Sequence, residues 1–107
     1  MDAQEQRGLL ELAAKAAGYV FLTNGQVCAP GAGNFDWNPL TDDGDALRLA
    51  VQLKLNISLD CAGPISVSNV REGVSKAEDR GDDPCTATRL AIVRAAAAIG
   101  RGMGTKP

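Results

Sequence analysis

The chain contains no histidine, and that absence removes more chemistry than any other feature of the sequence. With it go the usual near-neutral general base, the commonest metal ligand and any nucleophile built as a Ser-His or Cys-His pair. Aromatic residues are only 4% of the 107 residues, so a core must be assembled from Leu, Val, Ile and Ala. Cysteine is sparse: Cys28, Cys61 and Cys85 are an odd number at wide spacing with no Cys-x-x-Cys. That fits small apolar packing in a reducing compartment better than a disulfide frame. No apolar run approaches the roughly 18 residues a membrane span needs, and Met1 to Arg7 lacks the basic and then apolar order of a secretory signal. A cytoplasmic protein without a membrane partner is expected. Excess positive charge is missing too. With 11 Lys and Arg against 13 Asp and Glu the net charge is −2, which leaves no footprint for wrapping nucleic acid or anionic lipid.

What remains is an apolar share of 45%, enough for one domain over residues 1–107 to bury its own core. Residues 4–17 place Leu9, Leu10, Leu12, Ala13, Ala16 and Ala17 three and four apart, the pattern of an amphipathic helix, with Gly18 positioned to cap it. Gly8 weakens the first turn, and Glu11 with Lys15 is a favourable surface pair. Tyr19 to Thr23, Asn24-Gly25 and Gln26 to Cys28 read as a hairpin, and residues 29–34 read as a loop.

The organising stretch is Phe35 to Leu53, where the only tryptophan, Trp37, leads into an acidic helix start and is expected to wedge between layers with its indole body buried. Thr41 or Asp42 suits the N-cap, while Asp42, Asp43 and Asp45 complement the helix dipole. These carboxylates lack the spacing and distal glutamate of a calcium loop. Gly31-Ala-Gly33 is a poor dinucleotide fingerprint, because Asp36 stands at the third glycine position and Pro39 separates it from the helix. Ala46, Leu47, Leu49, Ala50, Val51 and Leu53 are expected to form the buried stripe of this helix.

Alternating strands follow over 55–59 and 65–70, pairing through a turn at 61–64. Arg71 to Asp83, almost without apolar residues, reads as an exposed charged loop whose Glu78, Asp79, Asp82 and Asp83 face solvent or a basic partner. Asp83-Pro84 starts a third helix running to about Gly100, and its Ala95 to Ala98 tract permits close packing. Arg94 and Arg101 share a face, too far apart for one phosphate clamp without help from elsewhere. Residues 102–107 read as a flexible tail.

Three runs carry a resemblance: Leu9 to Gly18, Trp37-Asn-Pro-Leu-Thr-Asp-Asp-Gly-Asp-Ala-Leu-Arg-Leu-Ala-Val51, and Asp83-Pro84 with Ala87 to Ala96. They resemble the small phage and prophage proteins grouped as the phage ABA sandwich domain, similar in order of elements to NinX-like phage proteins. The resemblance implies an α+β fold, a three-layer α/β/α sandwich with a mainly antiparallel sheet of about four strands and three helices. It implies no catalytic residues, cofactor or metal.

Three functions compete. The first is a non-enzymatic accessory protein that binds a bacterial host or defence protein, for example an anti-CRISPR-type inhibitor, using Asp36, Trp37, Asp42, Asp43, Asp45, Glu78, Asp79, Asp82 and Asp83 against the Lys and Arg of its partner. Direct nucleic-acid binding is disfavoured, and a homodimer stays open. The second is a small-molecule or nucleotide sponge, which needs the arginines, Trp37 and the Gly31 to Gly33 loop to converge. The third is an enzyme working without histidine, for which no spacing supplies a pair of groups.

Overall fold

The computed structural model describes residues 2–59 and 63–104. It is an α+β fold of three helices and two separate antiparallel sheets.

Helix α1 spans Ala3–Ala17. The Asp2 carboxylate caps it by accepting the Glu5 N–H at 2.8 Å, so the helix begins ahead of Gly8 rather than after it. Gly18 closes it in the left-handed region at φ 82°, where a residue without Cβ is unstrained. On its outer face Glu11 pairs with Arg7 at 3.2 Å, not with the expected Lys15.

The first sheet runs β1 (Val20–Phe21), β2 (Gln26–Ala29) and β3 (Gly33–Asp36), each antiparallel to the next. The hairpin predicted around Asn24-Gly25 is present, although Leu22 donates to the Gln26 carbonyl and three residues form the loop. The stretch read as loop, residues 29–34, holds the end of β2 and the start of β3. Gly31 and Gly33 both have positive φ, which turns the chain back within four residues and lets Gly33 pair with Ala29. The same geometry disposes of the dinucleotide reading, since these glycines make a hairpin.

Helix α2 spans Asp43–Gln52, capped by Asp42, whose side chain accepts the Asp45 N–H at 2.8 Å. The second sheet is β4 (Asn56–Ser58), β5 (Ile65–Asn69) and β6 (Val74–Glu78), in that order. Its β4–β5 pairing follows expectation; the turn at 61–64 and Cys61 lie largely outside the described residues. β6 is a correction. A strand at a sheet edge needs few apolar residues, because only one side of its backbone is paired and its outer face is wet; Ser75, Lys76 and Ala77 are all exposed.

Helix α3 spans Pro84–Gly104, four residues beyond the predicted end; residues 105–107 lie outside the described part. It is buried on most of its circumference, through Ala87, Ala91, Ile92, Val93, Ala95, Ala96, Ala97 and Ile99, because it packs at once on α1, α2, β5 and β6. Gly100 sets the closest approach to α1: a Cβ there would stand 2.0 Å from the Leu12 carbonyl oxygen. Six strands in two sheets thus stand where one sheet of about four was expected, and α3 packs on both other helices and on the second sheet. No described helix is long and apolar enough to cross a membrane.

Candidate functional site

The residues predicted to meet a partner divide between core and surface, and Asp43 and Asp83 are brought together through Arg89 and Thr86. Trp37 is 5% exposed and sits edge-on to Tyr19, 5.7 Å between ring centroids, while Tyr19 also meets Phe35 edge-on. It is a core residue. Asp45, 8% exposed, accepts the Asn38 N–H at 2.9 Å and one guanidinium nitrogen of Arg48 at 2.7 Å. It fixes the turn into α2 and presents nothing outward. Asp36 accepts from Gln26 at 3.1 Å, Asp42 is the helix cap, and Asp43 pairs with Arg89. Glu78 holds Arg94 at 2.9 Å.

Asp83 caps α3, accepting the Thr86 hydroxyl at 2.6 Å and the Cys85 N–H at 3.1 Å. The hydrogen bonds from Thr86 hold its carboxyl below the ordinary aspartate range, with smaller help from the Cys85 N–H and the charge of Arg89. Of the nine, Asp79 and Asp82 are exposed without a structural task of this kind.

The region that sequence reasoning missed lies between α2, the second sheet and α3. Leu47 and Val51, expected in the buried stripe of α2, are 61% and 68% exposed. Only Ala46, Leu49 and Ala50 turn fully inward. Leu47 and Val51 are one turn apart on the same face, and Leu59, 60% exposed, lies just beyond β4. Leu47 and Leu59 border a cavity of about 470 Å³ whose apolar wall includes Ala46, Ile57, Ile65 and Ile92. Asp43, Arg80, Pro84, Cys85, Thr88 and Arg89 complete it.

The two arginines there differ. Arg89 is spent on structure, donating from Nε to the Leu40 carbonyl at 2.9 Å, from Nη1 to Asp43 and from Nη2 to the Thr86 hydroxyl at 3.0 Å. Arg80 donates from Nε to the Gly63 carbonyl at 2.9 Å, while its Nη2 is buried and donates to nothing among the described residues. An apolar helix position that the helix itself could bury, yet leaves outside, is visible only once the packing is known. The excess of apolar positions on α2 was the available signal.

A second groove, of about 430 Å³, runs between α1 and α3 and brings Lys76 of β6 alongside Arg94 and Arg101. Lys76 is the third cation that spacing alone lacked. Glu5 also lines the groove and Glu78 is paired to Arg94, so its positive charge is largely offset. Trp37 lines neither cavity; it borders a shallow depression with Arg7 and Phe21. Of the elements of the nucleotide-sponge reading, Trp37 and Arg7 share that depression, Arg80 and Arg89 line the first cavity, and the Gly31 to Gly33 loop lines none of the three. No family model, curated protein or solved structure matches the chain.

Proposed function

We propose that the chain is a non-enzymatic binding protein that docks on another protein through the outer face of α2 and the adjoining apolar cavity. The observation that carries this reading is the exposure of Leu47 and Leu59 at the border of one apolar depression, with exposed Val51 one turn along α2 from Leu47. Large aliphatic side chains gathered at the surface and rimmed by polar groups favour association, since covering them removes apolar area from water. Asp79 and Asp82 belong to the segment that leads into Pro84 on the cavity wall, so the fitting partner offers an apolar anchor with Lys or Arg beside it.

The resemblance of the Trp37 to Val51 run supplies the biological frame. In that frame the chain is a phage or prophage accessory protein acting in the cytoplasm of the host bacterium, and the partner is a host or defence protein, as for an anti-CRISPR-type inhibitor. The contact is apolar at its centre and acidic at its rim, in place of the wholly acidic mimic suggested by composition.

Affinity capture from nuclease-treated bacterial lysate, read by mass spectrometry, tests the reading with wild type beside a Leu47→Asp, Val51→Asp variant. One protein retained by wild type and lost by the variant is the expected result. Equal capture by both would remove α2 from the interface.

A further inference from the structure

The geometry points to a small-molecule site in the same cavity: an apolar carboxylic acid, bound as its anion, with the carboxylate on Nη2 of Arg80 and the hydrocarbon part against Leu47, Ile57, Leu59 and Ile65. The starting observation is the orphaned donor. A guanidinium N–H closed to bulk water and lacking an acceptor among the described residues is costly, and buried unsatisfied donors are rare in folded proteins.

The surroundings select the acceptor. Arg89 and Asp43 neutralise each other across the cavity wall, leaving Arg80 as the unbalanced charge among the described lining residues, so the incoming group is an anion. One orphaned donor suits a single carboxylate; a phosphate or nucleotide head needs several. The remaining wall is dominated by aliphatic side chains, which matches a hydrocarbon body, and about 470 Å³ falls within the roughly 300–1,000 Å³ of small-ligand sites. Arg80 lines this wall, and among the described residues its guanidinium is anchored at Nε alone. Nη2 is closed to solvent in this structure, so a bound carboxylate is met by rotation of the guanidinium about that anchor.

Calorimetric titration of the full chain at neutral pH with decanoate, and with decanol as the uncharged match, tests the assignment. Decanoate is expected to bind about tenfold or more tightly than decanol, the worth of a charge-assisted hydrogen bond. Arg80→Gln is expected to erase that preference while decanol binding stays. Circular dichroism checks that the variant folds, and the wild-type contrast stands without it. Equal affinity for the two ligands, no binding of either, or an unchanged preference in Arg80→Gln would each overturn the site. Binding of a peptide ending in a leucine carboxylate, with none of decanoate, would overturn it in favour of a protein C-terminus. Lysate capture that depends on Leu47 does not require the acid, so the two proposals fail separately.

Discussion

At Gly100 one hydrogen atom in place of a methyl group decides how closely two helices meet. A Cβ there stands 2.0 Å from backbone of α1, which no side-chain rotation relieves, so Gly100→Ala must push α1 and α3 apart. The expected cost is about 3 kcal/mol, at the upper end of overpacking effects, read as a fall of roughly 10 °C or more in melting temperature. Gly8 is the contrasting case. Nothing lies within 4 Å of its Cβ position, and it sits inside an exposed helical turn, so Gly8→Ala is expected to stabilise by up to about 1 kcal/mol. Lys54 carries its strain in the backbone: at φ 56° it is the one described non-glycine residue with positive φ, ending α2 as the Leu55 N–H reaches the Ala50 carbonyl. Lys54→Gly should add about 1 kcal/mol, measurable by urea denaturation.

Elements are held by few polar contacts, and these are where their stability responds to conditions. The start of α3 depends on an ionised Asp83. Its folded pKa lies below that of the unfolded chain, so its contribution is complete above the ordinary aspartate range and is lost as pH falls through the folded value. Replacing Asp83 with Ser keeps a neutral cap. Wild type should lead that variant near neutral pH and converge with it in acid, as followed by thermal melts across pH; a constant gap would exclude linkage at this cap. Asn69, 8% exposed, ties three segments: its side-chain amide donates to the Leu53 carbonyl at 2.8 Å and its oxygen accepts the Glu72 N–H at 3.1 Å. Asn69→Ala leaves both groups without that partner and should cost about 2 kcal/mol, again read by denaturation.

These contacts also show why some elements were legible in the sequence and others were not. The starts of α2 and α3 are written locally, by Asp42 and by Asp83-Pro84, because capping is an interaction between residues two or three apart. β3 and β6 are not, since neither Gly33-Asn34 nor Ser75-Lys76 carries strand propensity. Each is a strand only because β2 or β5 offers it a partner.

For the whole molecule the same divide runs between composition and placement. The absence of histidine and the balance of charge bounded the chemistry, and periodicity gave three helices. Which face of α2 is covered depends on where α3 lies, so Leu47 and Val51 were counted as core and Asp45 was offered to a partner, whereas Trp37 is buried as a wedge between layers should be. Arg80, inside a segment that reads as solvated charge, was the least legible of the site residues, because nothing local distinguishes a buried arginine from an exposed one.

Helix α3 is joined to α1, α2 and the second sheet, while the first sheet meets α1 through β1. It follows all of these elements in the chain. During synthesis, therefore, α1, α2 and the second sheet emerge without the helix that joins them, and Leu49 and Val67 await the burial they have in the finished fold. A ribosome paused ahead of Pro84 should display a nascent chain open to protease along most of its length. Protection should arrive in one step as the alanine-rich turns leave the exit tunnel, making the timing of translation, rather than any early hairpin, the moment at which this protein commits to its shape.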